Sequence, residues 1–165
     1  STERSLKALG TDYVDLLLIH WPAHLENDLD ALKGTLDAFV ALKDDGLTRH
    51  IGVSNFSLAL LKQTVDHLPK EAPLFAHQAE YHPFLDQETV LAHARSVGYL
   101  FTAYSPLARG KVSAIPKSSQ TAHRVANLDV FDFRLSDDEM TAIHDLAAPD
   151  GRQLDPGFAP DWNAS

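Results

Sequence analysis

The sequence predicts an α/β fold built on a parallel sheet. Two observations carry this. Short apolar runs of strand length alternate along the chain with longer stretches of helical period, the pattern of βαβ units. The runs are also near-continuous rather than alternating, as in Tyr13–His20, which suits strands buried on both faces.

The elements follow in order. Ser1–Leu9 places Leu6 and Leu9 on one helical face, with Gly10 as the stop. Tyr13–His20 is the first strand. Leu29–Leu42 repeats apolar residues at Leu29, Leu32, Leu36, Phe39 and Val40, then ends in charges and Gly46. Arg49–Asn55 reads as a second strand, Leu58–Leu68 as a helix closed by Pro69, Leu74–Glu80 as a third strand, and Gln87–Val97 as a helix stopped by Gly98. Tyr99–Ser105 is a fourth strand and Val112–Pro116 a short fifth. Thr121–Leu128 and Leu135–Leu146 are helical, the latter opened by Ser136 and Glu139 as a capping box. Residues 1–165 form one domain, with strand–helix units to residue 149 and a Pro-, Gly- and Asp-rich irregular tail over 150–165.

Ser105 ends one strand and Ile115 sits in the next, with nine residues and no helical pattern between. A parallel crossover needs a dozen or more residues. Either the two strands are not parallel neighbours, or a helix has been deleted near Lys111–Ser113. The second is favoured, because every other unit has its helix. The chain also opens inside a helix without an initiator Met, which reads as a cut N-terminus.

Composition narrows the function. A net charge of −9 with no Lys/Arg run argues against nucleic acid. With 44% hydrophobic and 22% charged residues, the chain is ordinary for a globular protein. Cysteine is absent, which removes disulfides and thiolate chemistry and fits a cytoplasmic location. There is no signal peptide and no apolar run long enough to span a membrane. Nine histidines raise a metal-dependent barrel hydrolase as an alternative. However, no pair stands at usual ligand spacing, and His77 and Glu80 point to opposite faces of a strand.

Five strings, in order, resemble the aldo-keto reductases. They are Leu6–Pro22 (LKALGTDYVDLLLIHWP), Arg49–Phe56 (RHIGVSNF), Gln78–Pro83 (QAEYHP), Ala103–Leu107 (AYSPL), and Ile115–Ser118 (IPKS) continuing through Asn127 to Phe133. The ending Phe158–Trp162 is similar to the bacterial branch that includes 2,5-diketo-gluconate reductases. The resemblance implies a partial (β/α)8 TIM barrel, with about five parallel strands and its N-terminal strands missing. It implies reduction of an aldehyde or ketone by hydride transfer from NADP(H), with NAD(H) also admitted, at the C-terminal ends of the strands.

Carried over by position, His20 orients the substrate carbonyl and Trp21 lines the substrate pocket. Ser54, Asn55 and Gln78 bind the nicotinamide carboxamide, which wants both donors and acceptors. The same Ser-Asn-Phe-Ser stretch also suits a helix N-cap. Tyr104 stacks on the nicotinamide ring, and Ser105 and Leu107 contact the pyrophosphate. Lys117 and Ser118 meet the adenosine 2′-phosphate. His123 stands where the family has Arg, and Asn127 where it keeps Asn near the adenine. An Arg is a permanent charge and a His is mostly neutral near pH 7, so NADP versus NAD stays open. The family's proton-donating Tyr, with its Lys and Asp, matches no residue here. The 165-residue chain is therefore expected to be inactive alone, binding nucleotide at most. Full-length members are usually monomeric; the unclosed sheet edges of this chain predict self-association.

Overall fold

The computed structural model describes residues 2–105, 113–114, 121–122, 125, 129 and 133–163. Helix α1 (Thr2–Leu9) leads into β1 (Val14–Ile19). A 3-10 turn (Ala23–Asn27) precedes α2 (Leu29–Asp44), β2 (Thr48–Ser54) and α3 (Leu58–His67). Then come β3 (Ala76–Glu80), α4 (Glu88–Val97), β4 (Leu100–Tyr104), β5 (Ser113–Ala114) and α5 (Asp137–His144). The sheet order is β1-β2-β3-β4-β5, and every described pairing is parallel. This is the expected partial barrel.

Register explains which residues share a face. Ser54 pairs with Gln78, Gln78 with Thr102, and Glu80 with Tyr104, so these side chains line one surface, the interior of a closed barrel. Between them, Ile19, Val53, Ala79, Phe101 and Ala103 face the helices. They form one apolar cluster with Leu32 and Leu36 of α2, Leu60 and Leu61 of α3, and Val90, Leu91 and Ala94 of α4. Each of these helices buries one face at helical spacing, with Leu60 and Leu61 of α3 followed one turn later by Thr64. Gly52 sits on the inner surface where a Cβ would lie 2.6 Å from the Ala76 carbonyl oxygen and 2.6 Å from Leu18 Cδ2. Only glycine permits that strand spacing.

Helix ends are chemically defined. Asp28 accepts from the Ala31 N–H at 2.9 Å, and Ser57 from the Leu60 N–H at 3.4 Å. Ser136 and Glu139 close the capping box. Gly98 takes the left-handed conformation and returns its N–H to the Ala94 carbonyl at 2.8 Å. Replacing the buried Ser57 with Ala is expected to cost about 1 kcal/mol, read as a lower urea midpoint with an unchanged m-value.

Three sequence expectations are adjusted. The 3-10 turn had no counterpart in the reading, because only Leu25 of that stretch is buried and a single apolar position gives no period. The strands and helices are mostly a residue or two shorter at their ends than their apolar patterns, as fraying allows. The close approach of β4 and β5 is a parallel pairing, Thr102 with Ser113 and Ala103 with Ala114, so of the two alternatives the non-neighbour one is removed. Thr121, Ala122 and Val125 are helical as expected; the rest of 121–128 lies outside the described residues. No helix among the described residues is long and apolar enough to cross a membrane.

Candidate functional site

Four strands deliver their C-terminal ends to one rim, where sites on barrels of this kind are built. His20 and Trp21 follow β1, Ser54 and Asn55 end β2, Glu80 and Tyr81 end β3, and Tyr104 and Ser105 end β4. One side chain ties this rim together. Asn55 Nδ2 donates to the His20 carbonyl at 2.9 Å and to Ser54 Oγ at 3.1 Å, while Asn55 Oδ1 accepts from the Tyr104 hydroxyl at 2.8 Å. Its backbone N–H reaches the Gln78 carbonyl at 3.0 Å. Asn55 is buried and left-handed, with φ of 62°, a conformation Asn tolerates better than most residues. Ser105 is also left-handed, with φ of 53°.

The donor and acceptor count is informative. Both Asn55 amide hydrogens are used. That leaves one lone pair on its Oδ1, the hydroxyl hydrogen of Ser54, and the amide of Gln78. A planar carboxamide needs this mixture. Tyr104, half-buried, has its pKa pushed up to about 12, first by burial and then by the nearby Glu80 carboxylate. It is thus a standing hydrogen-bond donor to Asn55.

Behind Asn55 lies a support not read from sequence. The Phe56 N–H donates to His77 Nε2 at 3.3 Å. His77 is buried and ringed by Tyr99 and Phe101. Burial, then the charges of Arg152 and His93, lowers its pKa to about 3, so its ring stays neutral and accepts.

The other wall is the tail. Trp21 meets Phe158 edge-on at 5.4 Å and Trp162 at 6.2 Å between ring centroids, and Trp21 and His20 rings are 6.3 Å apart. The Arg152 guanidinium carbon lies over the Trp162 ring, 3.7 Å from its centroid. Glu80, wholly buried, accepts from the backbone N–H groups of Gln153 at 3.0 Å and Leu154 at 3.2 Å. The sequence gives Glu80 no local partner and Arg152 no fixed position, since the groups that meet them lie tens of residues away. The available signal was the shared face of Gln78 and Glu80, which put a carboxylate on the rim side.

The structure therefore brings His20, Trp21, Ser54, Asn55, Gln78, Tyr104 and Ser105 to one rim. Leu107, Lys117, Ser118, His123 and Asn127 lie outside the described residues. No cluster of three or more His, Cys, Asp or Glu suited to a metal occurs among the described residues.

The aldo/keto reductase family model matches residues 1–114, from the first residue to the end of β5. The chain belongs to the aldo/keto reductase family. Members of this family are oxidoreductases that act on carbonyl groups with NAD(P)H. Methylglyoxal reductase DkgB of Escherichia coli O157:H7 is 31% identical, over 99% of this chain and 71% of its own length. Glyoxal reductase of Bacillus subtilis (strain 168) is 33% identical, over 87% of this chain and 60% of its own length. Among solved structures, a protein assigned as a 2,5-diketo-D-gluconic acid reductase B superposes with a TM-score of 0.88 at 33% identity, over 99% of this chain and 67% of that one. An aldo/keto reductase from Brucella melitensis gives 0.76 at 32%, over 87% and 65%. The chain thus spans about two-thirds of these reductases. The DkgB alignment runs over 193 positions against a chain of 165 residues, so at least 28 positions of that relative have no residue here.

Proposed function

We propose that this chain forms the nicotinamide-binding and carbonyl-orienting part of a reductase acting on aldehydes or ketones, and that the 165-residue chain binds the nucleotide without turning it over. The observation that carries this is the Asn55 bridge, which holds the His20 strand end and Tyr104 at fixed positions around Ser54 and Gln78.

When bound, the reduced nicotinamide supplies the hydride. Ser54, Gln78 and the free lone pair of Asn55 hold its carboxamide, and the Tyr104 ring covers one face. His20 orients the substrate carbonyl, with Trp21 beside it. Lys117 and Ser118, with His123 in place of an Arg, meet the adenosine 2′-phosphate, while Ser105, Leu107 and Asn127 contact the remainder. With His123 in place of a permanently charged Arg, a reduced preference for NADPH over NADH is expected.

With no residue at the family's donor-Tyr position, the oxyanion develops without a placed acid. That alone removes about 10²–10⁴ in rate. A fluorescence titration of the folded chain is expected to show saturable NADPH binding, and NADH binding within about tenfold of it. An assay with methylglyoxal or glyoxal, chosen from the relatives' names, is expected to show no turnover above background. Absence of binding by a folded chain would overturn the proposal; clear turnover would overturn its second half.

A further inference from the structure

The tail crosses the rim with little apolar burial of its own. Leu154 and Phe158 are exposed, at 47% and 57%. Its entry is fixed by backbone: Ala148 donates to the Phe84 carbonyl at 3.1 Å, Asp86 donates to the Ala148 carbonyl at 3.1 Å, and a Cβ on Gly151 would collide with Phe84 O. Beyond Gly151 the contacts change character. Glu80 Oε1 takes the Gln153 N–H and Glu80 Oε2 the Leu154 N–H. Arg152 Nη1 lies 3.7 Å from Oε2 without a hydrogen bond of its own. His82 Nε2 is 3.3 Å from Oε1. At the far end, the Asp161 N–H meets the half-buried Glu26 at 2.6 Å, and Trp162 Nε1 meets Asp155 at 2.9 Å.

We propose that Glu80 is the positioning residue of the tail: its buried carboxylate, rather than the aromatic contacts, holds residues 151–162 across the rim and so places Phe158 and Trp162 against Trp21. Two adjacent N–H groups and one guanidinium converge on a group with no access to water. Charge-assisted hydrogen bonds of this kind are the strong ones. The aromatic contacts are edge-on and partly wet. Resting on the functional reading, this makes Glu80 a determinant of which carbonyl substrates fit beside His20, although it need not touch them.

The chain carries its own readouts. Arg152 is the only Lys or Arg after Arg134, so trypsin cutting at Arg152 releases residues 153–165. The bond cut is the one whose N–H Glu80 holds. Arg134 is exposed, while the Arg152 side chain is only 11% accessible. In the unsubstituted chain, cleavage after Arg134 is expected to precede cleavage after Arg152. Equal rates would overturn the proposal without any variant.

Glu80→Gln keeps volume but loses charge and is expected to speed cleavage after Arg152 by about tenfold or more, since proteolysis follows the open population. Tryptophan emission should shift to the red, because Trp21 and Trp162 are the two tryptophans of the chain and both sit at this contact. Glu80→Asp should restore part of the protection. The double variant Phe158→Ala with Trp162→Ala should change the rate by less than about fivefold. If instead the double variant opens the tail as much as Glu80→Gln, or Glu80→Gln leaves cleavage and emission unchanged, the aromatic contacts hold the tail and the proposal fails. Neither readout involves nucleotide. Loss of NADPH binding with a protected Arg152 bond would remove the functional reading and leave the latch standing.

Discussion

Gly52→Ala is expected to destabilise the chain by about 3 kcal/mol or more. The added methyl would sit 2.6 Å from a backbone oxygen of the neighbouring strand and 2.6 Å from Leu18 Cδ2. Leu18 can rotate, but the Ala76 carbonyl belongs to the β2–β3 ladder and cannot move without breaking it. A loss of that size is a large share of the 5–15 kcal/mol typical of a folded domain. Urea melts should show a lower midpoint, and nucleotide binding should fall with it, because Ser54 and Gln78 lie next along the same two strands. A variant within 1 kcal/mol of the parent would mean that β2 and β3 separate more easily than their register implies.

Acidification is expected to produce the second large effect, through His77. Its folded-state pKa is near 3 and its ordinary value is 6.5. Between those values the unfolded chain binds a proton that the folded chain refuses, so unfolding is favoured as the pH falls. The stabilisation from a neutral His77 is full above pH 6.5 and is lost on the way to pH 3. The slope is about 1.4 kcal/mol per pH unit, or about 2 kcal/mol between pH 6.5 and pH 5. A single melt at low pH sums every titrating group of the chain, so it does not isolate His77. Comparing urea midpoints for the parent and His77→Asn at pH 7, 6 and 5 does. The parent should lose about 2 kcal/mol more than the variant, and parallel slopes would refute the assignment. The cause is local: protonated Nε2 would lose its acceptor lone pair for the Phe56 N–H, just behind Asn55.

The fold was legible wherever one residue's neighbours in sequence are its neighbours in space. Leu16–Ile19 announces a strand, although β1 lies at the edge of the described sheet and only Ile19 of it is fully buried, and Ser136 with Glu139 announces a helix start. The cofactor side was legible as strings, since Ser54-Asn55 and Gln78 sit at strand ends. What the strings do not contain is how those ends are held. Asn55 to Tyr104 spans 49 residues, and Glu80 to Gln153 spans 73. Neither partner carries a local sign of the other. His77 was weighed as a metal ligand and a strand-face marker, whereas its observed role is to accept a main-chain N–H. A backbone partner leaves no trace in side-chain pattern. Asn55 was read by its side-chain amide, and its left-handed backbone is permitted by the residue type without being demanded by it.

The order of the sheet has a consequence for how the molecule is made. Strand order in space is strand order in the chain. From β2 to β4, each strand therefore meets a neighbour already synthesised, with one α-helix between the two in the chain. Assembly can proceed as the polypeptide leaves the ribosome, one unit at a time, with little need for distant segments to find one another. The contacts of the tail are the exception, and among them Gln153 and Leu154 arrive 73 and 74 residues after the carboxylate that receives them. A stalled or shortened product would possess the ladder and the Asn55 bridge, yet leave a charged group on the rim with the main-chain donors of its tail not yet made.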